Sequence, residues 1–95
     1  MKLGRVSGTV VSTRKDPSLA SLKLLIVENM TTGLEREGGY VVAVDSVGAG
    51  PGEVVLYASG SSARLTNTTK DRPVDAVIMA IVDSYDVDGS VTRLA

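Results

Sequence analysis

Strict alternation opens the chain. Over residues 3–13, Gly4, Val6, Gly8 and Val10 fall on one face of an extended segment, and Arg5, Ser7, Thr9 and Val11 fall on the other. Alternating glycine and valine suits a sharply coiled strand of a small barrel, where glycine permits close backbone approach. Residues 14–18, RKDPS, then form a polar loop stopped by proline. Residues 22–28, LKLLIVE, are almost continuously apolar and predict a strand covered on both faces. Residues 29–39 are rich in threonine, glycine and charge and predict a connection. YVVAVD over 40–45 and EVVLYAS over 53–59 predict the third and fourth strands. DAVIMAIVD over 75–83 fits helix or strand by pattern alone. Its valine, isoleucine and methionine run after Pro73 favours a strand, with a short turn over 73–76. A short helix is expected at residues 61–65 after Gly60, capped by a serine, and 66–71 reads as a polar surface loop. Asp88-Gly89 between apolar residues predicts a terminal hairpin.

These elements amount to five main strands, one short helix between the fourth and fifth, and a C-terminal hairpin. The expected fold is mainly β, a small five-stranded barrel resembling OB-folds, in a single domain without internal repeats.

Composition narrows the chemistry. The 95 residues leave room for one modest core. That core is aliphatic, because Phe and Trp are absent and Tyr40, Tyr57 and Tyr85 are the only aromatics. Ten basic and 11 acidic side chains leave a formal net charge of -1, with no long-range attraction for nucleic acid or an anionic membrane. No cysteine means no disulfide framework and no thiolate metal site. No histidine removes the commonest general base and metal ligand. No apolar run approaches the ~20 residues that span a bilayer, and the N-terminal MKLGRVSGTVV is too polar for a signal peptide. A cytosolic protein is expected. Asn29-Met30-Thr31 and Asn67-Thr68-Thr69 match a glycosylation pattern that chance explains in such a protein.

The most conspicuous motif is VGAGPGE, Val47 to Glu53. A dinucleotide fingerprint needs a strand, a glycine turn and then a helix, whose N-terminus supplies aligned N–H donors. Here the loop leads into a strand, and the third glycine comes one residue too early. The remaining readings are a tight loop with positive φ at glycine and close backbone approach to another chain. Glu28, Asp45, Glu53, Asp75 and Asp83 are candidate carboxylates, but several lie at strand ends, where solvated carboxylates are ordinary. Ser61 or Ser62 as a nucleophile would need a base, and Lys23 and Lys70 sit in no recognisable motif. Neither catalysis nor a cofactor or metal is expected. An OB-type barrel can bind single-stranded nucleic acid through stacked aromatics and a basic groove. Three tyrosines and balanced charge make a weak footprint, and Arg5, Arg14, Lys15 and Lys23 read as a solvated face. LKLLIVE, YVVAVD and VIMAIVD have apolar positions pointing both ways, which favours a protein that buries its second faces against copies of itself.

GRVSGTVVST from Gly4, KLLIV from Lys23, VAVDSVGAGPGEVVLYASGSSAR from Val42 and PVDAVIMAIVD from Pro73 together resemble the EutN/CcmL family of bacterial microcompartment shell vertex proteins. The resemblance covers nearly the whole chain, in order and spacing. It implies a barrel core over about 1–83 with a C-terminal extension over about 84–95. It implies a homopentamer that packs against hexameric shell proteins in the bacterial cytoplasm, without catalysis, nucleic acid or membrane. Single-stranded nucleic-acid binding by an OB-fold is the alternative. By the same resemblance, Gly48, Ala49, Gly50, Gly52 and Glu53 match a GAG-x-GE loop. Ser61, Ser62, Ala63 and Arg64 match an SSAR segment. Both are expected at subunit contacts or near the five-fold opening. Pro73 to Ala76 match a PVDA turn with a structural role.

Overall fold

The computed structural model describes residues 1–94. Strands β1 (Lys2–Val10), β2 (Leu24–Met30), β3 (Arg36–Asp45), β4 (Val54–Ser59) and β5 (Ala76–Ile81) close into a barrel. Around the barrel the order is β1-β2-β3-β5-β4, and β4 pairs back to β1. All neighbours are antiparallel except β3 and β5, which run parallel and meet only at Val44–Val77 and Asp45–Ile78. Strands β6 (Ser84–Val87) and β7 (Ser90–Arg93) form a separate hairpin. Its turn residues Asp88 and Gly89 both have positive φ, 50° and 83°, as a two-residue I′ turn demands. The expected five-stranded OB-like barrel with its terminal hairpin is borne out.

The barrel interior holds Val6, Leu25, Val27, Ala43, Val55, Ile78 and Tyr57. Each fully buried aliphatic side chain contributes about 1.5–3 kcal/mol relative to exposure. Tyr57 is the one aromatic in this core, and its hydroxyl donates to the side-chain oxygen of Asn29. Gly4 lies beneath it. A Cβ there would overlap a Val27 methyl and reach 3.0 Å from the Glu28 carbonyl oxygen, so β1 approaches β2 only as glycine.

A second cluster lies outside the barrel wall. Val44, Ala58 and Val77 turn outward and are covered by Ala63 and Val74, with Leu19, Leu22 and Leu24 at the margin. The two-faced strands therefore bury part of their outer surface against the chain's own loops, where burial against copies of the chain was expected. The covering segment is a 3-10 turn, Gly60–Arg64, rather than a serine-capped helix at 61–65. Its N-cap is Ser59, which makes no side-chain cap bond, and the Ser62 hydroxyl donates back to the Ser59 carbonyl at 2.7 Å. Within the polar stretch 66–71, Thr69 is fully buried, and its hydroxyl donates to the Ala63 carbonyl at 2.6 Å.

Other differences have local causes. The alternation of β1 breaks at Ser7, where the register shifts between Val6 and Gly8, so Gly8 stands against Ile26 and Val10 is exposed. The strand stops at Val10, short of residue 13. Residues 29–39 are mostly strand, not connection. β2 runs on to Met30 and β3 begins at Arg36, with Gly38 and Gly39 at positive φ where the register with β2 shifts. The Thr31 hydroxyl accepts the N–H groups of Gly33 and Glu35 and closes the turn. A second 3-10 turn, Pro17–Leu19, replaces part of the expected polar loop. Asp16 caps it by accepting the Ser18 N–H at 2.9 Å, and the same bonds from the Ser18 hydroxyl and N–H lower the Asp16 carboxyl from its ordinary value.

Candidate assembly surfaces

The VGAGPGE loop is the lid of the barrel. Asp45 ends β3, and its Oδ1 accepts the backbone N–H groups of Val47, Gly48 and Ala49 at 3.1, 3.1 and 3.2 Å. The carboxylate gathers the chain into a turn and aims the Ala49 methyl into the barrel core. Lys23 closes the far side, with Nζ 3.7 Å from Asp45 Oδ2 and donating to the Ala49 carbonyl at 3.3 Å. The second half of the loop is stitched to β1. The Gly52 N–H donates to the Val6 carbonyl, the Val6 N–H to the Glu53 carbonyl, and the Arg5 guanidinium to the Gly52 carbonyl. Glu53 folds back to accept the Gly50 N–H at 2.6 Å.

The glycines have separate reasons. Gly48 and Gly52 sit at φ of 80° and 83° with open space where a Cβ would be, so the turn itself requires them. Gly50 has no such φ, and its nearest neighbour is the Glu53 carboxylate oxygen, 3.3 Å from a Cβ. Seen from outside, Gly48 and Gly52 present bare, exposed backbone, and Pro51 is exposed between them.

The second motif lies at the other end of β4. Ser61, Ser62 and Arg64 are exposed, while Ala63 is sealed in the outer cluster. Arg64 donates to the Val74 carbonyl at 3.3 Å, and the Gly60 N–H donates to the Asp75 carbonyl. The structure does not bring the two motifs together within one chain. Six-residue β4 separates them, a distance of roughly 20 Å at about 3.3 Å per strand residue. Of the nine candidate residues, Ala49 and Ala63 are buried in the chain's own clusters, and the other seven lie on two separate surfaces.

The carboxylates do not converge. Glu28 and Asp45, expected to be ordinary solvated strand ends, are largely buried. Glu28 pairs with Arg36 at 3.4 Å, and the Asp45 side chain is 3% exposed. Asp45 is one of the candidate carboxylates, but its part in the loop was not expected from the sequence. Its signal was an aspartate directly before Ser-Val-Gly, a side chain placed to accept N–H groups of its own turn. Among the described residues no cluster of acidic side chains is arranged to hold a metal ion. The tyrosines form no stacking platform either. Tyr57 is inside the barrel, Tyr40 is on β3, and Tyr85 is on the hairpin with its hydroxyl bonded to the Thr32 carbonyl. Burial pushes the Tyr57 phenol up from its ordinary value, and the Glu37 carboxylate adds to the rise.

The described residues form a small closed barrel with two exposed loop surfaces. The chain belongs to the EutN/CcmL family, whose model, described as ethanolamine utilisation protein EutN/carboxysome, matches residues 1–83. It is 44% identical to the carboxysome shell vertex protein CcmL of Gloeobacter violaceus, over 93% of this chain and 88% of that protein. The solved structure of Gloeobacter violaceus CcmL superposes with a TM-score of 0.91, at 43% identity, over 96% of this chain and 94% of that one. The pentameric microcompartment shell protein GrpN of Rhodospirillum rubrum superposes with a TM-score of 0.84, at 46% identity, over 92% of this chain and 99% of that one. These relatives are structural shell proteins, not enzymes, and none of them supports nucleic-acid binding.

Proposed function

We propose that five copies of this chain close into a ring that caps a vertex of a bacterial microcompartment shell, packing edge to edge against hexameric shell proteins in the cytoplasm. The observation that carries this reading is the superposition on a pentameric shell protein over nearly the full length of both chains. The work of such a ring is geometric. A flat layer of hexagons closes into a polyhedron only where pentagons are inserted.

The surfaces agree with this reading. A ring is built from heterologous contacts, in which two different patches of each subunit meet. Gly48, Gly50, Gly52 and Glu53 at one end of β4, and Ser61, Ser62 and Arg64 at the other, supply two such patches. Ala49 and Ala63 act from beneath by fixing the backbone of each. The barrel over about 1–83 is the ring-forming unit, and residues 84–95 are an extension of it.

Co-expression with hexameric shell proteins, followed by electron microscopy, tests the proposal. Closed polyhedral particles are expected when the chain is present, and open sheets or tubes when it is omitted. Equal closure with and without it would contradict the proposal.

A further inference from the structure

Charge is unevenly spread over this chain. Residues 11–23 connect β1 to β2, and residues 60–75 connect β4 to β5. Together they carry six of the ten basic side chains, Arg14, Lys15, Lys23, Arg64, Lys70 and Arg72, but only three of the 11 acidic ones, Asp16, Asp71 and Asp75. The two connections therefore have a net charge of +3 in a chain whose remainder is -4.

The fold sets these connections side by side. Leu19 and Leu22 of the first pack on the outer cluster that holds Ala63 and Val74 of the second. The Arg72 guanidinium donates to the Ala20 carbonyl at 2.9 Å and ties the two together. Much of the positive charge stays unneutralised. The ion pairs among the described residues join Lys23 to Asp45 and Arg36 to Glu28, so Arg14, Lys15, Lys70 and Arg72 have no carboxylate partner. Asp16 is engaged by the Ser18 hydroxyl and N–H at 2.6 and 2.9 Å. The same connections display Val11 and Leu65, 87% and 84% exposed, the most exposed large apolar side chains among the described residues.

We infer that this surface docks an extended acidic peptide segment of another protein. Its carboxylates meet the four unpaired cations, and its aliphatic side chains meet Val11 and Leu65. Other polyanions match the surface less well. Exposed Asp71 and Asp75 stand among the cations. A peptide can satisfy them with its own N–H groups, whereas a phosphate backbone can only repel them. An anionic membrane is gripped by a broad apolar helix face. These connections hold only 3-10 turns of three and five residues, and the chain has no Trp or Phe. The docking surface lies within one chain and does not depend on the ring. A ring repeats it around the five-fold axis, so a partner with several acidic segments gains avidity.

Fluorescence anisotropy tests the inference with a labelled peptide of about ten residues, built from Glu-Glu-Leu repeats. A matched peptide with Gln in place of Glu is expected to bind at least about ten-fold more weakly. Arg14→Glu combined with Lys70→Glu should weaken the acidic peptide by about ten-fold or more. Val11→Ser combined with Leu65→Ser should weaken it by about five-fold, while leaving unchanged the affinity for a peptide with Ser in place of Leu. All four positions are exposed. Circular dichroism checks the fold of each variant, and native mass spectrometry checks its assembly. Equal binding of the glutamine peptide, or full affinity in either double variant, overturns the inference. Equal or tighter binding of phosphatidylserine vesicles or of oligothymidylate also overturns it, and assigns the surface to membrane or nucleic acid. Loss of assembly in a folded variant would make the surface a subunit contact, and overturns it as well. A wild-type chain that is not a pentamer, yet binds the peptide with these dependences, contradicts the ring and supports the docking surface.

Discussion

Asp45 and Lys23 are joined twice. The Asp45 backbone N–H donates to the Lys23 carbonyl at 2.9 Å, and the Lys23 ammonium lies 3.7 Å from the Asp45 carboxylate. The two partners are not equal. The Asp45 side chain is almost fully buried and holds three loop N–H groups, whereas the Lys23 side chain is 57% exposed. Asp45→Ala is expected to lower stability by about 1–3 kcal/mol, because three loop N–H groups, that of Ala49 partly buried, lose their acceptor. Lys23→Ala should cost about 0–1 kcal/mol, as for other exposed ion pairs. Urea midpoints of the two variants check this, and equal losses would contradict the central place given to Asp45.

Gly4 and Gly8 lie on the same strand and should respond oppositely to a methyl group. At Gly4 the new Cβ overlaps Val27 and crowds the Glu28 carbonyl, so Gly4→Ala is expected to cost about 1–3 kcal/mol or to prevent folding. At Gly8 the nearest atom is 3.8 Å away and φ is not in the left-handed region. Gly8→Ala is therefore expected to be neutral or to stabilise by up to about 1 kcal/mol through the unfolded state. Thermal or urea unfolding of the pair decides it.

The glycine loop yields a sharper contrast. Gly48→Ala places an L-residue at φ 80° and should destabilise the subunit by about 1–2 kcal/mol whether or not a ring forms. Gly50→Ala needs only a small movement of the Glu53 carboxylate and should leave subunit stability within about 1 kcal/mol. Loss of the ring in Gly50→Ala, with unfolding unchanged, would place a neighbouring chain against the loop. Subunit unfolding and native mass, measured on the same samples, separate the two effects.

Tyr57 provides a pH test. Its phenol is raised from 10.0 by burial and then by Glu37. The folded state holds the proton more tightly than the unfolded chain, so this contribution is complete below about pH 10. It is lost as pH rises through the higher folded value. Alkaline difference absorbance between wild type and Tyr57→Phe should show phenolate forming later than in the unfolded chain. Stability should fall over the same interval in wild type and less steeply in the variant. Coincident titration in folded and unfolded protein would contradict the burial of this hydroxyl.

Much of the barrel was legible in the apolar patterning. LLIV, YVVAVD and VVLYAS became β2, β3 and β4, and Asp88-Gly89 marked its hairpin through the φ values it allows. Alternation failed where a bulge intervened, since nothing in Ser7 announces that Val6 and Gly8 will take consecutive partners on β2. The first part of β3 was hidden because Arg36 to Tyr40 are all exposed, so no face of that segment carries an apolar signal. The outer cluster escaped for the opposite reason. Val44 and Val77 read as apolar whether a loop or a second copy covers them, and only the path of residues 60–75 places Ala63 and Val74 above them. The glycine motif was legible as a loop joining two strands, but its cause was not. That cause is divided between the turn at Gly48 and Gly52 and the Asp45 carboxylate that gathers the N–H groups.

The central claim is that this chain works as a closed ring. Native mass spectrometry of the purified wild-type protein, at several concentrations, addresses it most directly. One dominant species of five chains is expected, with no ladder of intermediate oligomers, because a heterologous contact that closes leaves no free patch. A strict monomer, or an open-ended series of sizes, would contradict it.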